Sequence, residues 1–391
     1  MAQGRGSLCE VLNQMIYLDN AATSWPKPQC VLDEMARFLA HDGGSPNRAG
    51  HRMAAAAGRI VRDVRYKLAR LFNIEDPQRL IHCFNCTDAL NIAIKGCLSE
   101  GDHVITTVLD HNSISRPLNA MAKAGLISLT RLRVTGAGVV DPDAVRTSIT
   151  PNTRLIATLH ASNVTGVIQP IASIGRIARE HDCLLLIDAA QSVGLLDVDV
   201  RAMNIDLLAF PGHKSLLGPT GTGGLYVGPR ASIKPWREGG TGEDSVRPTQ
   251  PTEFPTCLEA GTHNTAGLAG LNAALDVVNP PEALGNHRMI VRRLVEELDD
   301  HPHITLLGNP AADRGIGVVS LTVDGIAPCE VASILNETYS IAVRPGLHCA
   351  PYIHRSLGSF PDGTVRIASG LTTTTRDIMR LVRALREVAD R

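Results

Sequence analysis

Apolar and polar positions follow two rhythms along this chain. From Pro28 to about Ala40, and again from His51 to Phe72, apolar residues recur every three or four positions, which predicts two helices separated by Gly43-Gly44-Ser45-Pro46. Short apolar runs then alternate with helical stretches. Strands are expected at 79–84, 103–108, 127–134, 154–159, 184–188 and 207–210, with helices at 88–98, 114–124 and near 171–181. Several of these strands are apolar on both faces, so the pattern predicts an α/β fold with a mainly parallel sheet covered by helices on both sides. After residue 262 the pattern changes. One long helical stretch (about 262–300) leads into strands at 303–307, 317–323, 340–345 and 364–369, with helices near 327–337 and from about 374. The expected organisation is an N-terminal extension at 1–14, a large domain at 15–261, and at 262–391 a connecting helix with a smaller α+β C-terminal domain.

Composition narrows the class. Lys plus Arg (38) nearly balance Asp plus Glu (39) for a formal charge of −1, which gives no electrostatic footprint for nucleic acid and favours a small-molecule partner. No apolar run approaches the roughly 20 residues that span a bilayer, and the N-terminus has no signal-peptide pattern, so a soluble, cytoplasmic protein is expected. Nine cysteines scattered through the chain do not form a disulfide framework and fit a reducing compartment, where one of them can be a working thiol. Cys83-Phe84-Asn85-Cys86 is the only CxxC; with no second ligand pair at metal-site spacing, no metal is expected.

Candidate chemistry collects at the strand ends, where ligands of open α/β sheets bind. The run Leu207-Leu208-Ala209-Phe210 stops at Pro211-Gly212, so His213-Lys214 lies in a turn, followed by Gly218, Gly221, Gly223 and Gly224. A lysine so placed can serve as a Schiff-base lysine if it is desolvated; otherwise it is an ordinary solvated group. Past 79–84 come Asn85-Cys86-Thr87-Asp88, a helix start suited to a phosphate or simply an N-terminal cap. Past 103–108 stands His111, past 154–159 stands Asn163, and past 184–188 stand Asp188 and Gln191. Asp188 closes an almost wholly apolar strand, where a carboxylate demands a positive partner such as a protonated pyridine nitrogen. A lysine, an acid for a ring nitrogen, donors near a ring oxygen and a helix N-terminus for a phosphate are together what pyridoxal phosphate requires.

The ordered set Tyr17-Leu18-Asp19-Asn20-Ala21-Ala22-Thr23, Ser162-Asn163-Val164-Thr165-Gly166, Asp188-Ala189-Ala190-Gln191-Ser192-Val193-Gly194 and Gly212-His213-Lys214 resembles the class V aminotransferase family of fold-type I pyridoxal-phosphate enzymes. Within it the likeness is to cysteine desulfurases, from about residue 16 to the C-terminus. The resemblance implies that Lys214 carries the cofactor, Asp188 pairs with the pyridine nitrogen, and His111 stacks on the ring and acts as a catalytic residue that moves a proton near the thiol. It also implies that Asn163 and Gln191 lie by the ring hydroxyl, and that Cys86, Thr87 and His213 belong to the cofactor site. Glu259-Ala260-Gly261-Thr262 is similar to the segment one subunit lends to the other's phosphate site, which implies a homodimer with Thr262 at that contact. Arg344-Pro345-Gly346-Leu347-His348-Cys349-Ala350-Pro351 is similar to the RxGxxCAxP loop of SufS-like desulfurases, whose cysteine receives sulfur. By the same likeness Arg366 grips the carboxylate of L-cysteine, with Ala22 and Asn163 also at the substrate, and a SufE- or SufU-like acceptor takes the sulfur onward. Cys349 is then expected on a partly exposed loop with Arg344 and His348 as cationic neighbours. Apart from the family, Arg366 reads as an edge-strand charge and Cys349 as a packing residue.

The implied reaction converts L-cysteine to L-alanine and leaves a persulfide on the enzyme. Selenocysteine lyase, cysteine-derivative lyase or another class V aminotransferase are alternatives, as is a non-catalytic sulfur-relay subunit. The chain departs from the family at Pro211, where relatives carry a hydroxyl residue, at Asp88 in place of glutamate, and at Leu371-Thr372-Thr373.

Overall fold

The computed structural model of the chain describes residues 15–46, 50–242, 245–308 and 315–391. Its strands, in chain order, are β1 (Ile16–Tyr17), β2 (Leu80–Cys83), β3 (Asp102–Thr107), β4 (Ile127–Leu132), β5 (Thr153–Leu159), β6 (Leu184–Asp188), β7 (Leu207–Pro211) and β8 (Gly223–Val227). Five more follow: β9 (Ile304–Leu307), β10 (Val318–Val323), β11 (Ile341–Ala342), β12 (Arg344–Gly346) and β13 (Thr364–Ala368). Among the described residues they divide between two compact units, one within 27–161 and 169–281, the other within 15–26, 162–168 and 282–391, while the extension expected at 1–14 lies outside the described residues. Thus 162–168, which carry Asn163, group with the C-terminal segment, and 262–281 with the larger unit.

In the larger unit seven strands form one sheet in the order β2-β8-β7-β6-β5-β3-β4. The pairs from β7 through β6, β5 and β3 to β4 are parallel, whereas β8 runs antiparallel to both β7 and β2. Strands β6 and β7 are buried throughout because Leu184–Ile187 and Leu207–Phe210 present apolar side chains to both faces. Helix residues Leu90, Ala93, Ile94, Ile114 and Leu118 share a core with Leu155, Leu184, Leu186 and Leu207 of the sheet.

β8 is where the sequence misled. Gly223 and Gly224 read as loop residues beside the lysine, but they open a strand. A Cβ on Gly224 would sit 2.5 Å from the Phe210 ring, and one on Gly223 2.7 Å from the Phe210 carbonyl oxygen. The glycines are there to let β7 and β8 close up, not to admit a ligand.

The other unit holds an antiparallel sheet ordered β12-β13-β10-β9 and a parallel pair of β1 with β11. The single strand expected at 340–345 is two short strands in different sheets. Its core gathers Ile16, Leu18, Val319, Leu321, Val365 and Ile367 under helix residues such as Ile290, Leu294, Leu335, Leu381 and Leu385. The last helix, Thr375–Ala389, starts with a reciprocal cap between Thr374 and Asp377, worth about 1 kcal/mol. The long helix expected over 262–300 is two, Thr265–Ala274 and Pro280–Leu298. Asn279-Pro280 supplies the break, since the residue before proline is pushed out of the helical region. Among the described residues no helix is long and apolar enough to cross a membrane.

Candidate active site

In the larger unit the candidate residues stand on the carboxyl ends of β2, β6 and β7 and on two helix starts. Asp188 ends β6 and is 5% exposed. Its Oδ1 accepts hydrogen bonds from the Ala190 N–H (2.9 Å) and the Cys86 thiol (3.3 Å), while its Oδ2 accepts none among the described residues. Burial, then the adjacent Asp188 carboxylate, push the Cys86 thiol well above its usual pKa, so Cys86 is the donor of that bond. Lys214 acts electrostatically on the same thiol in the opposite sense. One sulfur atom therefore feels both the carboxylate that ends β6 and the lysine that follows β7.

Cys86 opens the helix Cys86–Cys97. The cap is Asn85, whose Oδ1 accepts from Asp88 N–H (2.9 Å), while Asp88 Oδ2 accepts from Phe84 N–H (3.1 Å). Asp88 is thus occupied with the cap, and Thr87 is not the capping residue. The Thr87 hydroxyl meets Ser113 Oγ at 2.7 Å, and Ser113 Oγ meets His111 Nδ1 at 2.9 Å. His111 caps the helix Asn112–Lys123 by accepting the Ser113 N–H on Nδ1 (3.1 Å). Accepting there assigns the ring proton to Nε2 when the imidazole is neutral. Ser113, which the sequence reading missed, links Thr87 to His111.

His213 and Lys214 follow β7, and both are half-buried. The Lys27 ammonium donates to the His213 carbonyl at 2.7 Å. Burial, followed by the charges of Lys214 and Lys27, lowers the His213 pKa to about 4, so its imidazole is neutral near pH 7. Burial brings Lys27 down to about 8. Gln191 is buried in the turn after Asp188. Thr262 is exposed beside a buried ion pair: the Arg65 Nη2 lies 2.9 Å from both Glu259 oxygens, and Glu259 Oε1 also accepts the His82 N–H at 2.6 Å. Burial would raise Glu259, but Arg65 and the neighbouring histidines outweigh it and hold the carboxyl at about 2. Among the described residues no group of three or more His, Cys, Asp or Glu could hold a metal ion.

In the other unit Arg366 lies on β13, between β12 and β10, and is 2% exposed, so it is not an edge-strand charge. Its Nη2 donates to Asp19 Oδ1 at 2.7 Å and its Nη1 to the Asn163 carbonyl at 3.2 Å; its buried Nε has no partner among the described residues. Ala22 is half-buried, and its N–H donates to the Asp19 carbonyl in the turn that carries Asp19. Asn163 Nδ2 donates to the His348 carbonyl at 2.7 Å. Cys349 is half-buried in the loop after β12, close enough to Arg366 to favour that guanidinium's charged state. Arg344 faces Arg366 across the β12–β13 ladder. His348 does not supply the expected cation. Burial, then Arg366, His354 and Arg344, bring it down to about 2, which leaves the two arginines as the positive groups.

Comparison with known proteins gives this arrangement its family. The chain matches the Aminotransferase class-V family over residues 16–381 and belongs to it. Enzymes of this family have the fold-type I architecture and depend on pyridoxal phosphate. A probable cysteine desulfurase from Methanothermobacter thermautotrophicus is 33% identical over 399 residues, covering 97% of this chain and 96% of that protein. An apo cysteine desulfurase structure from Thermococcus onnurineus superposes with a TM-score of 0.89 at 30% identity, over 97% of this chain and 96% of the other. The Escherichia coli cysteine desulfurase CsdA gives 0.87 at 27% identity with the same coverage.

The donor set suits that cofactor. A buried carboxylate with one oxygen fixed and the other open fits a protonated pyridine nitrogen. With Asp88 N–H and Ala89 N–H taken by Asn85, the N–H groups of Cys86 and Thr87 are the ones at this helix start that suit a phosphate.

Proposed function

We propose that this protein is a cysteine desulfurase that converts L-cysteine to L-alanine and leaves the sulfur as a persulfide on Cys349. The observation that supports this reading most is that Asn163 ties the buried Arg366 to the loop of Cys349, accepting from Arg366 Nη1 on its carbonyl (3.2 Å) and donating from Nδ2 to the carbonyl of His348, the residue before the thiol (2.7 Å). Desulfuration needs a thiolate nucleophile and an anchor for the substrate carboxylate, and ordinary amino transfer has no use for the thiol. Pyridoxal phosphate, when bound, supplies the electron sink that makes the substrate Cα–H acidic.

The chain's own residues would do the rest. Lys214 would hold the cofactor through its amine, and the same amine, when free, would take the proton from substrate Cα as general base. Asp188, oriented by Cys86 and Ala190, presents its open oxygen to the ring nitrogen. His111 would lie against the ring, Asn163 and Gln191 would serve the ring hydroxyl, and Thr87 and His213 would hold the phosphate. Arg366 pairs with the substrate carboxylate through donors that Asp19 and Asn163 leave available, and Ala22 borders the substrate. Cys349, as thiolate, attacks the substrate sulfur: an S–S bond forms, the Cβ–S bond breaks, and Cβ gains a proton. The products are alanine and the Cys349 persulfide.

Two copies are expected to pair, with Thr262 of each reaching the other's phosphate, and a SufE- or SufU-like protein would take up the sulfur. A cytoplasmic location accords with the free state of all cysteines among the described residues. Purified holoenzyme supplied with L-cysteine should release alanine, faster with such an acceptor. Faster turnover of selenocysteine, or amino transfer to a keto acid in place of alanine release, would assign the protein to the alternatives.

A further inference from the structure

Cys349 sits on an unusual piece of backbone. His348 has φ of 49° and Cys349 has φ of 59°. Side chains disfavour this left-handed region, and these two are the only adjacent non-glycine residues that adopt it among the described residues. A free loop would leave such a conformation. Three features oppose that. The His348 imidazole is buried, with Nε2 2.9 Å from Thr364 Oγ1 on β13. The His348 carbonyl accepts from Asn163 Nδ2 at 2.7 Å. A turn bond from Ala350 N–H to the Leu347 carbonyl (2.8 Å) closes the loop across the cysteine. Gly363, next to Thr364, packs so closely on Gly346 that a Cβ there would overlap its backbone, so the strand holding the anchor also fixes the start of the loop.

The His348 ring, packed 5.5 Å from that of His354, is held neutral by burial and by the charges of Arg366, His354 and Arg344, so charge is not its contribution. Its Nδ1 has no partner among the described residues, and its one bond is to Thr364. We propose that His348 is a positioning residue for the Cys349 thiol. Its side chain anchored on Thr364 and its carbonyl on Asn163 hold the loop in the paired left-handed conformation, so the thiol is presented from a single backbone geometry. The inference rests on Cys349 being the sulfur acceptor, but the loop's geometry can be tested without turnover.

The variants are Thr364→Val, which removes the anchor at similar volume, and Thr364→Ser, which restores it. In the holoenzyme two quantities are read: the rate of Cys349 alkylation by iodoacetamide, followed by peptide mass, and alanine formation from L-cysteine. Thr364→Val should raise alkylation and lower turnover, each about three- to tenfold, the fold-change of one net hydrogen bond, while cofactor absorbance stays at the wild-type value. Thr364→Ser should return both toward wild type. Wild-type values of both quantities in Thr364→Val would overturn the proposal. If Thr364→Val does not fold, hydrogen exchange of the wild-type Cys349 and Ala350 amides decides: protection supports the latch, and exchange at the unstructured rate overturns it. Absence of alanine from the wild type would refute the desulfurase reading and leave the alkylation comparison standing.

Discussion

The two units hold their candidate residues in different ways. In the larger one Asp188, Cys86, Thr87, His111 and Lys214 stand where parallel strands end and helices begin, so regular secondary structure fixes their positions. In the other, Cys349 lies on a loop in a disfavoured conformation, and Arg366 is fixed by ties to Asp19 and Asn163. A sheet edge is a ready-made array for holding a rigid cofactor, whereas a loop must be tied down by contacts between residues far apart in sequence. Loss of a group in the first region should therefore be seen in cofactor retention, and loss of Cys349 or Arg366 in the second should leave the cofactor in place.

The largest effects test that separation. Lys214→Ala should lower alanine formation at least about 10³-fold and abolish the borohydride-trapped adduct at this position. Cys349→Ser should lose persulfide formation to a similar extent yet keep the cofactor's visible absorbance; loss of that absorbance would erase the distinction. Next in size is Arg65→Met, which strands the buried Glu259 carboxylate and should destabilise the larger unit by about 3–5 kcal/mol, read as a lower urea midpoint. Arg366→Lys should then lower kcat/KM about 30-fold or more, mainly through KM, because the two-pronged grip on a carboxylate is lost; an unchanged KM would remove Arg366 from the substrate site.

The smallest effect concerns pH. His287 and His354, at about 4, and His348, at about 2, are buried in the C-terminal unit. His82, at about 3, and His160, at about 4, are buried in the larger one, where half-buried His213 also stands at about 4. Each folded pKa lies below the unfolded value of roughly 6.5, so the unfolded chain binds more protons and stability is lost as pH falls below that value. The limit is about 1.4 kcal/mol per histidine per pH unit. Asp110 works in the opposite sense. Burial, against hydrogen bonds from Thr106, Thr107 and Leu159, raises it to about 6, so its contribution favours folding as pH falls from there towards 4. Histidines of this kind occur in both units, but Asp110 offsets part of the loss in the larger one, so between pH 6.5 and 4.5 the C-terminal unit should lose protease resistance first. Equal loss in both units would show that this difference in buried titration has no weight.

Much of the sheet was legible in the sequence, because strands buried on both faces are written as unbroken runs such as Leu184–Ile187. β8 was not, because the reason for Gly224 is the Phe210 ring and for Gly223 the Phe210 carbonyl, which only the fold brings beside them. The break between Thr265–Ala274 and Pro280–Leu298 was signalled by Asn279-Pro280 and was overridden by the apolar spacing on either side. At the site, motif resemblance supplied Lys214, Asp188, Cys349 and Arg366. Its supports were out of reach. Lys27 lies 186 residues from His213, and Asp19 lies 347 from Arg366, so neither pairing leaves a local pattern. The neutrality of His348 was equally hidden, since burial sets it and the chain shows only a histidine between Leu347 and Cys349.

Mass spectrometry of the Cys349 peptide after a limiting amount of L-cysteine, with alanine counted in the same sample, bears most directly on the transfer of sulfur to this thiol. One added sulfur on Cys349 for each alanine released, reversed by a reductant, is the expected result. Alanine released with Cys349 unmodified, or with the sulfur on another cysteine, would contradict it.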